Sequence, residues 1–303
     1  MALRTTDTLL LVTRTRRAIT RPLRRWRSLG LLLLLGPPLL WMGVIYLAPL
    51  AYLLLTSLWT YANYNILHEW TLDNYRQIFS DPVWLTVLRR TVFIALLVTF
   101  TTIALALPLA YFLARYTSRW KNLLYIAVLI PLWSSYLVRV FAWKTILGTQ
   151  GLLNTFLLSI HVINHPVEAF LYSNTAIYIT LVHVWLPYMI LPVFTAIDRI
   201  PPSLLEASSD LGARGWQTFR RVVWPLAFPG ILAGSIFVFS LSMGDFITPL
   251  LMGNGNQFIG NVIEDQFGVS GNYPFGAALS MLPLVVLSIF LAVSRRFGAL
   301  EAL

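Results

Sequence analysis

Six stretches of twenty or more predominantly apolar residues run through this chain, near 30–58, 91–114, 122–147, 175–197, 227–251 and 275–294. A hydrocarbon core about 30 Å thick needs about 20 apolar residues per helical crossing, so each stretch is long enough to span it. Inside a bilayer every backbone N–H and C=O must be satisfied within the protein, which leaves helices or closed barrels. Runs this long and this apolar predict an all-α membrane protein with six transmembrane helices. The composition agrees: 57% of the 303 residues are hydrophobic and 11% are charged, against roughly 25% charged in a soluble domain. Proline falls within or beside several spans (Pro49, Pro108, Pro131, Pro187, Pro192, Pro283). Membrane helices tolerate it where neighbours re-satisfy the freed carbonyls, so these residues predict kinks, either purely structural or shaping a pathway.

Lys and Arg set the expected orientation. Eight arginines lie in residues 1–28, and most of the others fall in the 115–121 turn, the 198–226 segment and the Arg295-Arg296 pair. With six alternating helices all of these share one side, which puts both termini and 198–226 in the cytoplasm and 59–90, 148–174 and 252–274 outside. Arg89 and Arg90 oppose the rule locally, but the N-terminal cluster outweighs them. The net charge of +10 sits next to apolar spans, so anionic lipid headgroups are the expected partner and nucleic acid is not. Residues 1–28 read as a cytoplasmic Arg-rich segment and 29–303 as the membrane domain. The apolar run from Leu31 is long and lacks a small-residue cleavage site, so it reads as a retained first helix rather than a signal peptide. The chain has no cysteine, hence no disulfide and no thiolate metal site.

Catalytic patterns are missing. A phosphate-cradling loop needs GxxxxGK[ST], and neither Lys121 nor Lys144 has a glycine before it. His68, His161, His165 and His183 have no HExxH spacing and no third ligand in view. The expectation is a non-catalytic chain without cofactor or metal.

The 198–226 segment is polar and lies between two apolar blocks. Pro201-Pro202 end the preceding helix, and Ser203 with Glu206 three residues on reads as a capping box opening a helix over about 204–211. Gly212 then suits the left-handed position just past a helix end, where glycine carries no Cβ penalty. A second short helix over about 215–223 would stop at Pro225. Periodicity alone fits two readings equally: an amphipathic hairpin lying on the membrane with Glu206 as a cap, or a protruding docking knob.

The spacing Glu206-Ala207-Ser208, Gly212, Val222-Val223-Trp224-Pro225 resembles the "EAA" loop of type I ABC importer permeases. Ser208, Val222 and Trp224 depart from the usual Ala, Ile and Leu. The resemblance selects the knob and implies that a separate ATPase docks on it, with Ala207 and Gly212 allowing close approach and Glu206, Arg214 and Arg220 supplying polar contacts. A second resemblance covers Thr71-Leu72-Asp73-Asn74-Tyr75 and Asp81-Pro82-Val83-Trp84, an outer segment common in the same permeases. By resemblance, the partners are a second permease subunit of different sequence, two ATP-binding subunits that hold ATP and magnesium, and a substrate-binding protein, at a bacterial inner membrane.

Gly244-Asp245-Phe246-Ile247-Thr248-Pro249, the run through Asn261, and Tyr273-Pro274-Phe275-Gly276 resemble spermidine/putrescine permeases. Independently, Asp245, Glu264 and Asp265 stand in a region with no Lys or Arg between 222 and 294. An acid near a membrane helix end is costly unless it faces water or a cation, and Trp133, Tyr136 and Tyr273 can add cation–π contacts to an ammonium group. These six residues are the expected substrate path. The alternatives are that Asp245 is a helix-end residue bonded to backbone, that Glu264 and Asp265 sit in a solvated loop or contact the binding protein, and that Trp133 and Tyr136 belong to an aromatic belt. Among cargoes, an opine or ferric iron is the alternative to a polyamine. A secondary transporter or channel would show internal repeats or a relay of intramembrane charges, and a membrane enzyme would cluster His, Asp or nucleophiles. Neither pattern is evident.

Overall fold

In the computed structural model the described residues are 31, 33–116, 119–170, 172–253 and 255–296. The Arg-rich segment 1–28 lies outside them. The chain forms two compact units, one ending at Thr56 and the other beginning at Ser57.

The first unit contributes helix α1 (Leu33–Thr56), apolar throughout, with one widened π turn at Gly43–Leu47. In the second unit a two-stranded hairpin comes first, β1 (Thr60–Ala62) and β2 (Asn65–Leu67), paired antiparallel. Its two-residue turn places both Asn63 (φ 51°) and Tyr64 (φ 59°) in the left-handed region, the geometry that matches strand twist in tight hairpins.

Helices α2 (Asp73–Ser80) and α3 (Pro82–Arg115) follow. The "LDNY…DP" pattern has a structural reason. The Asn74 side chain donates to the carbonyls of Ser57 and Trp59, both at 2.9 Å, and the Tyr75 hydroxyl meets Ser57 Oγ at 2.7 Å. Asp81 accepts from Val83 N–H at 2.9 Å, and Pro82 opens α3 where no N–H is needed. The helix that carries the second crossing therefore starts at Pro82, ahead of the apolar run that begins near 91.

The third crossing is broken. Its halves, α4 (Lys121–Trp133) and the pair α5 (Tyr136–Leu147) and α6 (Leu152–Ser159), are bent by 91°. Ser134 turns extended (ψ 148°), and its N–H and hydroxyl both bond the Pro131 carbonyl, at 3.2 and 2.7 Å, which closes the helix locally. At 1.5 Å per residue α4 alone is about 20 Å long, short of a full crossing. The single crossing expected over 122–147, with a kink at Pro131, is therefore corrected to two helices with a sharp break between them.

The fourth crossing, α7 (Asn174–Asp198), matches its expected span closely. After the short α8 (Pro202–Asp210), a continuous helix α9 runs Gly215–Met243. Its chain then breaks at Gly244–Phe246 and resumes as α10 (Ile247–Met252), so the expected fifth helix through 251 is also corrected. Helix α11 (Ile259–Gly268) occupies the region read as an outer loop, and α12 (Tyr273–Arg296) is the last crossing. Among the described residues five helices are long and apolar enough to cross a membrane, or six with the bent pair as one.

Helices α3, α7 and α9 make the main core, with Val98, Ala106, Leu181, Met189, Val193 and Val238 buried together. The α7–α9 contact is close because residue 230 is glycine: a Cβ there would fall 2.6 Å from the Pro192 carbonyl oxygen and 2.5 Å from Ala196 Cβ. Small residues permit such approach where lipid offers no hydrophobic drive between helices. A second cluster of Ile78, Val87, Ile259, Val262, Phe275 and Leu279 joins α2, α3, α11 and α12. Thr91 ties it, accepting from Ile259 N–H at 3.0 Å while donating to Val87 O at 2.9 Å.

Candidate functional site

Two constellations stand out, one at the polar loop and one where the two broken crossings meet.

At the loop, α8 ends as the glycine predicts. Gly212 has φ +76°, its N–H bonds Ser209 O at 2.9 Å, and Ala213 N–H reaches back to Ser208 O at 3.1 Å, the paired bonds of a Schellman close. The Ser203 capping box is not formed. Helix α8 starts at Pro202, so the N-cap position falls on Pro201, which has no side-chain acceptor to offer the second or third helical N–H. Ser203 instead lies in the first turn.

The second short helix does not stop at Pro225. A π turn at Phe219–Val223, with Trp224 N–H bonded to Phe219 O, precedes the proline. Pro225 has no N–H to give, and the widened turn shifts the bonding register so that the helix passes on into the membrane span.

Ser208, the departure from the usual Ala, faces Thr218 across the elbow, with the two hydroxyls 2.9 Å apart. The Gln217 side chain accepts from Arg214 N–H at 2.8 Å. The result is a knob of two helices around a glycine. Glu206, Ala207, Arg214, Arg220 and Pro225 are exposed on it, as are Leu211 (89%) and Trp216 (68%), two large apolar side chains facing out. A groove of about 480 Å³ runs between the helices past Leu204, Ala207, Gly212 and Arg221.

The root of the knob is held by residues that the sequence reading used only as topology markers. Arg115, at the end of α3, donates through Nη2 to the carbonyls of Ile197 (2.6 Å) and Ile200 (2.9 Å). These carbonyls lie at the negative end of α7, where a cation is well placed, and Ile197 O also takes the Ile200 N–H at 3.2 Å. Lys121 pairs with Asp198 beside them.

In the second constellation Asp245 is 6% exposed. Its Oδ1 accepts the N–H groups of Ile247 (3.0 Å) and Thr248 (3.2 Å), which caps α10. Its Oδ2 accepts from the Tyr136 hydroxyl (2.5 Å) and from Thr248 Oγ1 (2.8 Å), and the two hydroxyls are themselves 2.6 Å apart. Asp245 is thus the helix-end residue bonded to backbone that the alternative reading describes, and its other oxygen is bonded by Tyr136, another of the six expected path residues. Tyr136 stacks on Trp185 (5.4 Å between centroids, 11° between planes), and Trp185 meets Tyr188 edge-on at 5.7 Å. Tyr136 is the first residue after the break in the third crossing, and Asp245 lies in the break of the fifth.

The other four expected path residues are elsewhere. Trp133 is 81% exposed at the end of α4. Glu264 and Asp265 lie on α11, where Asp265 accepts from the Gln257 amide at 2.8 Å, and Tyr273 packs on Phe267 at 5.8 Å. The hydrogen bonds of Asp245 go to Tyr136, Ile247 and Thr248 and to none of these four. Among the described residues no group of three or more His, Cys, Asp or Glu is arranged to hold a metal.

The bundle of apolar helices, two of them broken, with a glycine-elbow knob between its fourth and fifth crossings, defines a multi-pass helical membrane transport component. Residues 106–297 match the family described as binding-protein-dependent transport system inner membrane component, and the chain belongs to that family, as a membrane-spanning subunit of an ABC importer. It is 43% identical over 291 residues to the inner membrane ABC transporter permease protein YdcU of Escherichia coli (strain K12), covering 91% of this chain and 92% of the relative. It is 39% identical over 231 residues to the spermidine/putrescine transport system permease protein PotB of the same strain, covering 76% and 83%. The fold is that of a subunit of a bacterial ABC transporter that imports the acidic polysaccharide alginate, with TM-score 0.73, 17% identity, and 91% and 99% coverage.

Proposed function

We propose that this subunit lines half of the translocation path of an ATP-driven importer of polyamines. The 198–226 knob docks an ATPase subunit, which binds ATP and magnesium; two such subunits, a second permease of different sequence and a substrate-binding protein complete the assembly. Both termini and the knob face the cytoplasm. The observation that carries the cargo reading is Asp245: a carboxylate buried in a membrane-spanning subunit beside a stacked Tyr136–Trp185 pair, with no Lys or Arg between 222 and 294. Anionic oxygen and aromatic faces together suit an ammonium group. The likeness to PotB supports the same cargo class.

Asp245→Asn keeps the shape and removes the charge. It should lower spermidine uptake at least about tenfold, in line with the worth of a charge-assisted hydrogen bond, while the subunits still copurify and basal ATP hydrolysis persists. Unchanged uptake across a full spermidine titration would place Asp245 off the path. Loss of assembly would leave it only its capping role.

One observation favours a second cargo. Arg139, one turn after Tyr136, is buried, donates to the Val184 carbonyl at 3.1 Å, and leaves Nε without a partner. A guanidinium in that position suits a carboxylate, so a cargo with both amine and carboxylate, such as an opine, is the runner-up. Uptake of labelled spermidine in competition with an opine separates the two.

A further inference from the structure

Tyr136 and Asp245 are 109 residues apart in sequence, and each stands at a break in its own crossing. The third crossing bends at Ser134-Ser135 immediately before Tyr136, and the fifth is interrupted at Gly244–Phe246 around Asp245. The Tyr136 hydroxyl contacts both Asp245 Oδ2 and Thr248 Oγ1, so its hydrogen bonds tie the start of α5 to the start of α10. We infer that the Tyr136 hydroxyl is a built-in competitor for the amine cargo: it occupies Asp245 in the empty subunit, ties the two broken crossings together, and is displaced when an ammonium group arrives. This rests on the polyamine reading of Asp245.

The chemistry sets the order of preference. Tyr136 and Thr248 bring one hydroxyl proton each to Oδ2, both neutral donors. An ammonium brings three N–H donors and a full charge, and charge-assisted hydrogen bonds are about twice as strong as neutral ones. The amine therefore wins the carboxylate. The tyrosine ring, steadied by its stack on Trp185, remains beside the cation and contributes through its face. Asp245 Oδ1 keeps its two backbone N–H bonds throughout, so α10 stays capped while the tie to α5 is released. Cargo binding is thereby converted into freedom of one broken crossing to move against the other, as alternating access around discontinuous helices requires.

The competition makes a prediction with an unusual sign. In the assembled complex, held in lipid nanodiscs without the binding protein, spermidine binding and ATP hydrolysis are measured for the wild type, Tyr136→Phe, Thr248→Val, Asp245→Asn and the double variant Tyr136→Phe/Asp245→Asn. Removing the competing hydroxyl while keeping the ring should tighten spermidine binding by about three- to tenfold, the worth of one neutral hydrogen bond. It should also raise hydrolysis in the absence of amine. Thr248→Val should act in the same direction, more weakly. Asp245→Asn should lose binding, and the Phe substitution should bring no gain on that background. If Tyr136→Phe binds spermidine no more tightly than wild type while Asp245→Asn still loses it, the tie is structural and the inference fails with the polyamine reading intact. If Asp245→Asn binds normally, the polyamine reading of this carboxylate fails, and the competition with it.

Discussion

Gly212 shows how a single residue can carry an element. Nothing in the chain lies within 4 Å of a Cβ built at this position, so within the subunit it is the φ of +76° that calls for glycine. A β-branched residue there costs about 1–3 kcal/mol of backbone strain, whereas Asn visits the left-handed region readily. Gly212→Val is expected to distort the elbow and cut copurification of the ATPase several-fold, and Gly212→Asn to keep most of it. Equal recovery of ATPase with the Val variant would show that the elbow does not shape the docking surface. This geometry was legible in the sequence, because a glycine after a short polar helix has few other uses. The Ser203 cap was not, because Pro202 takes the first helical position and so puts Ser203 inside the helix, with Pro201 at the capping position. Asp245 and Tyr136 were each legible as polar or aromatic residues in costly places. Their bond to each other was not, since no local pattern links positions so far apart.

Among the elements, the spans that the apolar runs located well are α7 and α12, bounded by polar segments on both sides. The breaks at Ser134-Ser135 and Gly244–Phe246 showed in the sequence only as the kink expected at Pro131 and the helix-end alternative for Asp245, because a run of apolar residues reads the same whether the backbone continues or turns. What marks the breaks is hydrogen bonding: Ser134 closing on Pro131, and Asp245 capping the segment that follows. The same limit hid the clamp at the knob's root. Arg115 looked like one more cytoplasmic charge, yet it holds two carbonyls at the end of α7, directly before Pro201-Pro202 and α8. Helix α3 is thus bonded to the point from which the knob emerges, the link through which the proposed coupling would reach a crossing of the main core. Arg115→Lys retains the charge but replaces the planar guanidinium, whose Nη2 alone bonds both carbonyls, with a tetrahedral ammonium on a shorter stem. ATPase association and hydrolysis should survive, while spermidine transported per ATP hydrolysed falls by roughly the tenfold that one charged hydrogen bond is worth. An unchanged transport-to-hydrolysis ratio would reduce the clamp to local stability.

At the level of the whole molecule, the knob and the Asp245 cluster lie on one continuous path of structure. Helix α9 begins beside the knob at Gly215 and ends at Met243, two residues before Asp245. A helix of this length without an internal stop is a direct mechanical connection, and the π turn before Pro225 is what keeps it uninterrupted. The account therefore holds that force applied at the knob by an ATPase moves the crossing that carries the amine site. The most direct measurement is spermidine uptake into sealed vesicles containing this subunit, its paired permease, the ATPase and the binding protein. ATP is supplied on the side bearing 198–226 and the binding protein on the other. Uptake should require ATP on the knob side, and Gly212→Val or Asp245→Asn should each sharply reduce it. Uptake that proceeds at the wild-type rate without ATP, or that is driven by ATP from the binding-protein side, would contradict it.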